Sequence, residues 1–221
     1  MLIYAHRGAS KDFPEHTKAA YHGAVAQGAD GFECDVRLTK DGVAVLWHDA
    51  DEVATTTYEN LLRIKPDVMT LDEFLEMAIS NKKAVAIETK HPVPTGNAIE
   101  DVVIETLKKH NAASKIDISI MSFSLLAVAY VKRKSDYRVV QLVGDEHFFI
   151  KPLIATPHVF SPSINSIRKH PEFVERIHKK GKKVYVWTVD NPDDQRLCQS
   201  LGVDVMITNT PGQARATLGY S

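Results

Sequence analysis

Short apolar runs alternate with helix-like patterns along the whole chain, and this alternation restricts the fold more than any other feature. A strand followed by a helix, repeated many times, predicts a parallel sheet with helices packed on its surface. The predicted strands span 2–6, 31–37, 43–48, 84–90, 116–123, 137–143, 158–162, 183–189 and 203–208. The predicted helices span 15–27, 70–81, 98–110, 125–134, 146–154, 171–180, 192–200 and 211–218.

Eight strand–helix units and one extra strand near residue 45 fit a length of 221 residues as a single-domain TIM (β/α)8 barrel over residues 1–221. The structural alternative is an open doubly wound sheet, which usually carries a glycine-rich phosphate-binding turn. Neither GxGxxG nor GxxxxGK followed by Ser or Thr occurs in the chain. The sequence therefore predicts the α/β class and a closed barrel.

Local signals mark the ends of several elements. Thr70 with Glu73 three residues later has the pattern of a capping box, which predicts the start of the helix at 70–81. Asp41-Gly42 predicts a tight hairpin between the strands at 31–37 and 43–48.

Charge and cysteine content exclude several classes of protein. Lys plus Arg number 27 and Asp plus Glu number 28, so the basic excess typical of nucleic-acid binding is missing and no nucleic-acid partner is expected. Two cysteines exclude a disulfide scaffold and fit a reducing compartment. The N-terminal residues reach Arg7 without an apolar signal core, and the apolar stretch 116–131 is short for a membrane helix. We therefore expect a cytoplasmic protein without stable membrane association.

Charged residues inside two predicted strands indicate a functional site. Glu33 and Asp35 are two residues apart, so strand alternation puts both on one face, and Glu88 and Lys90 share a face of the strand at 84–90. These positions approach the carboxyl ends of their strands, where barrel active sites form. Three converging carboxylates favour a hard divalent cation. The alternative is a solvated rim, or pairing with Arg37 and Lys90.

Two histidines lie at the same predicted rim. His6 ends the first strand and His48 ends the extra strand, and two histidines can divide the roles of general acid and general base near neutral pH. A hydrogen-bonded structural role is the alternative for each. The other eight histidines are interpreted as surface or structural residues. No His-x-His, Cys-x-x-Cys or Gly-x-Ser-x-Gly motif occurs, which argues against histidine-rich binuclear sites, structural zinc sites and serine hydrolase elbows.

An ordered series of short motifs covers nearly the whole chain. The motifs are His6-Arg7-Gly8, Pro14-Glu15-His16-Thr17, Glu33-Cys34-Asp35-Val36, Thr39-Lys40-Asp41-Gly42, His48-Asp49, Thr70-Leu71-Asp72-Glu73, Ile87-Glu88-Thr89-Lys90, Ser122-Phe123, Val186-Trp187-Thr188-Val189 and Gly202-Val203-Asp204. No single motif is specific, but the ordered set resembles the glycerophosphodiester phosphodiesterase family.

The resemblance implies a TIM barrel of the phospholipase C-like phosphodiesterase type, which hydrolyses glycerophosphodiesters to sn-glycerol 3-phosphate and an alcohol. It implies the following roles for residues of this chain. His6 and His48 are the acid–base pair; Glu33, Asp35 and Glu88 hold one divalent cation, Mg²⁺ or Ca²⁺; Arg7 and Lys90 contact the phosphate; Glu15 supports the site; and Trp187 lines the substrate pocket.

The chain departs from the family pattern at two places. His16 stands where the family usually has asparagine, and only 20 residues separate Asp49 from Thr70, where many members carry a longer insertion after the second strand. The short, polar and acidic segment at 50–68 leads us to expect a small deacylated substrate rather than a membrane lipid, with Leu61, Leu62 and Ile64 available to cover part of the pocket.

Two other functions stay open at this point. A related barrel enzyme acting on intact lipids, of the lysophospholipase D or phosphatidylinositol phospholipase C type, would be expected to show an apolar membrane-facing loop or a secretion signal. A barrel that binds phosphodiesters without turnover would be expected to lack a histidine or a carboxylate, and all five are present. Attack by water and attack by the glycerol 2-hydroxyl through a cyclic phosphate both remain compatible with the residues.

Overall fold

The computed structural model describes residues 1–49, 53–93, 95–145 and 157–220. Its strands, in chain order β1 to β9, are Leu2–His6, Gly31–Leu38, Ala44–Leu46, Ala84–Thr89, Ile118–Ser122, Arg138–Val143, Val159–Pro162, Lys183–Val186 and Val205–Thr208. Its α-helices, α1 to α9, are Lys18–Ala26, Tyr58–Ile64, Leu71–Ser80, Ala98–Lys109, Leu125–Lys134, Ile164–Lys169, Glu172–His178, Pro192–Ser200 and Pro211–Leu218.

Eight of these strands form a closed parallel barrel. The strands pair in the order β1, β9, β8, β7, β6, β5, β4 and β2, and β2 pairs again with β1 to close the ring. The remaining strand, β3, pairs antiparallel with β2 through the predicted Asp41-Gly42 hairpin, with Val36 opposite Leu46. Gly42 has a φ of 81°, which a residue with a side chain adopts only with strain. The predicted TIM barrel is therefore confirmed.

The helix-facing side of β2 anchors this strand in the core. Phe32, Cys34 and Val36 are fully buried, and the ring of Phe32 packs against Tyr21 of α1 and Phe74 of α3 at centroid distances of 5.2 and 6.2 Å. Burial of one such aromatic side chain stabilises a fold by about 1.5–3 kcal/mol. Because side chains alternate along a strand, the intervening residues of β2 are directed into the barrel.

Helix α1 begins later than predicted. The pattern indicated a helix from residue 15, but the Thr17 side chain accepts a hydrogen bond from the Ala20 N–H group, and the first helical residue is Lys18. Glu15 and His16 therefore lie in the loop between β1 and α1, where His16 has a φ of 62°. The capping box predicted at Thr70 and Glu73 is confirmed at the start of α3.

Other boundaries also differ from the predictions. The strands predicted at 43–48 and 183–189 end at Leu46 and Val186. Helices α2 and α6, with seven and six residues, were not predicted because they are too short to show a helical period over two full turns. The helix predicted at 146–154 lies outside the described residues. Among the described helices, none combines the length and apolar character required to cross a membrane.

Candidate active site

Three carboxylates meet inside the barrel at the carboxyl ends of neighbouring strands. Glu33 and Asp35 lie on β2, and Glu88 of β4 is the register partner of Asp35. Each offers an oxygen atom within 4.8 Å of the others. All three are buried, with exposed fractions of 2%, 1% and 7% in the order given. The convergence predicted from strand alternation is therefore observed.

Arg7 and Lys90 supply positive charge to this carboxylate cluster. Arg7 Nε lies 2.8 Å from Asp35 Oδ2, and its Nη1 donates to Glu15 Oε2 at 2.9 Å. Lys90 Nζ lies 2.9 Å from Asp35 Oδ1 and 3.0 Å from Glu88 Oε1. Asp35 thus contacts both predicted phosphate-binding cations, while Glu15 contacts Arg7 and Glu88 contacts Lys90.

A tight turn directs Arg7 toward the cluster. Arg7 and Gly8 have φ angles of 58° and 86°, both in the left-handed region. A Cβ atom on residue 8 would lie 2.6 Å from the Cβ of Ala20, so glycine is required where this turn passes α1. The Arg7 backbone N–H group also donates to Glu33 Oε2 at 3.2 Å, which ties the turn to the carboxylate cluster.

Simultaneous ionisation of all three carboxylates is unfavourable at this site. Burial, together with the charges of Asp35 and Glu88, raises the pKa of Glu33 well above its usual range. Burial and the Asp35 charge raise the pKa of Glu88 to about 7. Burial also opposes ionisation of Asp35, but the hydrogen bond from His16 and the charges of Lys90 and Arg7 hold the pKa of Asp35 well below its usual range.

The donor set fits a hard divalent cation. Among the described residues, Arg7 and Lys90 form ion pairs with Asp35 and Glu88, so three carboxylates face two cationic side chains, and buried charge without compensation is unfavourable. Carboxylate oxygens are the ligands that Mg²⁺ and Ca²⁺ prefer in proteins. The cluster of Glu33, Asp35 and Glu88 could therefore hold one metal ion.

His6 lies at the end of β1 beside this cluster. It is the register partner of Glu33, and its Nε2 atom lies 3.9 Å from Glu33 Oε2. Its Nδ1 atom lies 2.7 Å from Asn209 Oδ1. Burial and the neighbouring Arg7 charge lower the pKa of His6 to about 4. The ring is therefore neutral at physiological pH.

His48 follows β3 and is attached to β2 through the backbone. Trp47 donates its N–H group to the Asp35 carbonyl oxygen at 3.0 Å, and Arg37 Nε donates to the His48 carbonyl oxygen at 3.0 Å. The His48 side chain is 39% exposed, and its Nδ1 atom lies 2.8 Å from Asp49 Oδ1. Both histidines predicted to take part in catalysis thus lie beside β2, and the His6 side chain, 18% exposed, is less accessible than that of His48.

Trp187 occupies the rim at the ends of β5 and β8. Its indole N–H group donates to the Ser161 carbonyl oxygen at 2.8 Å, and its ring meets that of Phe123 edge to face at a centroid distance of 5.6 Å. Trp187 also packs against the buried apolar cluster inside the barrel that includes Met121 and Tyr185, and none of its described contacts is with the carboxylate cluster.

The sequence interpretation missed His16. Apart from His6 and His48, the histidines were interpreted as surface or structural, but His16 is 2% exposed and its Nε2 atom lies 3.1 Å from Asp35 Oδ2. Its Nδ1 atom lies 3.1 Å from the Tyr21 hydroxyl. Burial lowers the pKa of His16. The motif Pro14-Glu15-His16-Thr17 was a signal for this position, since the family usually has a hydrogen-bonding amide there.

A model of the glycerophosphoryl diester phosphodiesterase family matches residues 6–213. The chain belongs to this family. It is 32% identical to a glycerophosphodiester phosphodiesterase of Caldanaerobacter subterraneus, over 95% of this chain and 94% of the relative. Family membership confirms the resemblance found in the sequence and the prediction of a phosphodiesterase enzyme.

Solved structures of family members share the fold. A glycerophosphodiester phosphodiesterase from Parabacteroides distasonis aligns with a TM-score of 0.87 and 24% identity, covering 99% of this chain and 96% of that one. A phosphodiesterase from Oleispira antarctica, solved in complex with the product sn-glycerol-3-phosphate, aligns with a TM-score of 0.85 and 19% identity, covering 99% and 97%. At these identities the comparison supports the barrel fold.

In this family member, the reduced segment before Thr70 packs on β3. Leu61 of α2 is fully buried in a small apolar cluster with Val45, Val53 and Val68. Leu61 therefore holds α2 against the hairpin and is not available to cover the pocket.

Proposed function

We propose that this chain hydrolyses glycerophosphodiesters to sn-glycerol 3-phosphate and an alcohol, using one divalent cation, Mg²⁺ or Ca²⁺. The observation that carries the proposal is the meeting of three buried carboxylates, two cationic side chains and a neutral histidine at the carboxyl end of the barrel. The names of relatives and the product complex of the Oleispira antarctica phosphodiesterase support the same reaction.

Glu33, Asp35 and Glu88 would hold the cation. When bound, the cation supplies positive charge that stabilises the phosphate oxygens as negative charge develops in the transition state. Arg7 and Lys90 would bind the phosphate beside it, because a guanidinium can engage two phosphate oxygens and an ammonium supplies a compact charge. Glu15 orients the Arg7 guanidinium through its hydrogen bond to Nη1.

His6 would act as the general base. A ring whose pKa is lowered to about 4 has a free lone pair at neutral pH, so it can accept the proton of the attacking hydroxyl group. His48, which is more exposed and contacts Asp49, would donate a proton to the departing alkoxide. The hydroxyl group belongs either to water or to the glycerol 2-position, and both routes give the same net hydrolysis.

We further propose a small, deacylated substrate, with Trp187 lining the pocket, and neither a nucleic-acid partner nor stable membrane association. The support is the near-balanced charge of the chain and the short, polar and acidic segment at 50–68. The cytoplasmic location expected from the sequence stays a prediction.

Turnover of glycerophosphocholine and glycerophosphoethanolamine, coupled to detection of sn-glycerol 3-phosphate, tests this function. We expect release of sn-glycerol 3-phosphate from both, and loss of release in Glu33→Gln. Glu59→Gln removes an exposed carboxylate that pairs with Arg63 on α2 and is the matched control. Full activity in Glu33→Gln would contradict the proposed metal site, and absence of turnover of any glycerophosphodiester by the wild type would contradict the proposed function.

A further inference from the structure

A chain of hydrogen bonds reaches His6 from the ends of two neighbouring strands. Asp190 follows β8, Asn209 follows β9 directly, and His6 ends β1, and these three strands are adjacent in the barrel. Asn209 Nδ2 donates to Asp190 Oδ2 at 2.7 Å, and Asn209 Oδ1 lies 2.7 Å from His6 Nδ1. The residues that the proposed mechanism uses do not include Asp190 or Asn209.

Asp190 determines which way the Asn209 amide faces. Its Oδ1 atom accepts from the Asn209 backbone N–H group at 2.8 Å and from the Thr208 hydroxyl at 3.0 Å. Its Oδ2 atom accepts from the Asn209 amide nitrogen. With the amide nitrogen held by a carboxylate, the amide oxygen must face His6, and the Ser10 hydroxyl donates to this same oxygen at 2.7 Å.

An amide oxygen can only accept a hydrogen bond, so the proton of this contact belongs to His6 Nδ1. This holds whether the ring is neutral or charged. The Nε2 atom is then the one that gains or loses a proton, and it is directed to the carboxylate cluster, 3.9 Å from Glu33 Oε2. A neutral imidazole without such an acceptor prefers its proton on Nε2, which would leave no lone pair facing the cluster.

We propose that Asn209 and Asp190 are positioning residues that hold His6 in the Nδ1–H tautomer and aim the basic Nε2 atom at the reaction centre. This inference rests on the proposed role of His6 as a base. Asp190 has no contact with substrate in this proposal. Asp190 acts through Asn209, and Asn209 acts through His6.

The tautomer can be observed directly, without any activity measurement. Nitrogen-15 NMR of the 221-residue protein with labelled histidine distinguishes protonated from unprotonated ring nitrogens, and the His6 signals are assigned by their absence in His6→Ala. We expect a protonated Nδ1 in the wild type. In Asn209→Ala we expect the proton to move largely to Nε2, because the acceptor is gone.

An exchange of the two side chains separates positioning from simple structural damage. Asp190→Asn lets the Asn209 amide turn over, because two amides then face each other, and Asn209→Asp places two carboxylates in hydrogen-bond contact. The double variant Asp190→Asn with Asn209→Asp again pairs an amide donor with a carboxylate acceptor and leaves an acceptor for His6 Nδ1. We expect each single variant to lower kcat by ~10–100-fold with little change in KM, the range found when residues that orient metal-binding histidines are removed. The double variant should recover most of this loss and the Nδ1–H signal.

Asn191→Ala is the control for disturbance of the same loop, since Asn191 caps α8 through Asp193 and lies beside Asp190 without joining the chain to His6. Its kcat and His6 tautomer should match the wild type. A wild-type His6 with its proton on Nε2, an unchanged tautomer in Asn209→Ala, or a double variant no better than the singles would each overturn the proposal. If the wild type hydrolyses no phosphodiester while His6 keeps Nδ1–H and loses it in Asn209→Ala, the proposed function fails and the positioning of His6 stands.

Discussion

Glu88→Gln should stabilise the metal-free protein at high pH and destabilise the metal-bound protein. Burial and Asp35 raise the pKa of Glu88 from 4.5 to about 7 in the folded state. The folded chain then binds this proton more tightly than the unfolded chain. The Glu88 contribution is therefore most favourable at low pH and is lost as pH rises from about 4.5 to about 7. A glutamine does not titrate and avoids this loss.

The size of the effect follows from the pKa shift. A shift from 4.5 to about 7, at 1.36 kcal/mol for each pH unit, corresponds to about 3 kcal/mol, of which about 2.5 kcal/mol falls between pH 5 and pH 8. The pKa of His6 is lowered from 6.5 to about 4 in the folded state, so the His6 contribution to stability increases as pH rises between these two values. His6 is present in both proteins, so its contribution cancels when the variant is compared with the wild type. The Glu88 charge helps to raise the pKa of Glu33, so a smaller change in the Glu33 contribution accompanies the substitution.

Urea unfolding of both proteins in chelator, at pH 5 and pH 8, measures this difference. We expect Glu88→Gln to gain about 2.5 kcal/mol relative to the wild type between these pH values. With saturating Mg²⁺ or Ca²⁺ at pH 8 the order should reverse, since ligand binding to the native state stabilises the protein that retains all three carboxylates. A pH-independent difference in chelator would refute the raised pKa of Glu88 in the folded, metal-free protein.

Other variants test the remaining side chains of the site. His6→Ala and His48→Ala should each lower kcat by ~10²–10⁴-fold with little change in melting temperature. If His48 is the general acid, its loss should slow mainly the hydrolysis of substrates with poor leaving groups. Near-normal rates in both variants would leave the acid–base roles without support. In calorimetric titration, His16→Ala should weaken metal binding by ~10–100-fold because Asp35 loses a hydrogen-bond donor. His16→Asn should retain most of the metal affinity, and equal losses in the two variants would argue against a role of His16 in orienting Asp35. Glycerophosphoethanolamine should have a higher kcat/KM than its lysolipid counterpart in vesicles, and the opposite preference would favour a lipid hydrolase.

Strand alternation and parallel register account for the part of the site that could be predicted. Glu33 and Asp35 had to share a face, and a neighbouring parallel strand with Glu88 near its carboxyl end brings that residue to the same height. The capping box at Thr70 and the hairpin at Asp41-Gly42 were predictable because each depends on a few adjacent residues.

Loop conformation accounts for what could not be predicted. His16 reaches Asp35 only because Thr17 caps α1 and the chain turns through a left-handed φ at residue 16. Asn209 and His6 are 203 positions apart in sequence and meet through closure of the barrel, which no local pattern encodes. The assignment of residues 1–221 to one domain stays a prediction.

Release of sn-glycerol 3-phosphate from glycerophosphoethanolamine, measured before chelation, after chelation and after return of Mg²⁺ or Ca²⁺, tests the metal-dependent phosphodiesterase activity most directly. We expect release to stop in chelator and to return with one of the two cations bound per chain. The same protocol on Glu33→Gln should give little release at any stage, since one of the three oxygen ligands loses its charge. Full turnover by the chelated, metal-free wild type would contradict a catalytic cation at Glu33, Asp35 and Glu88.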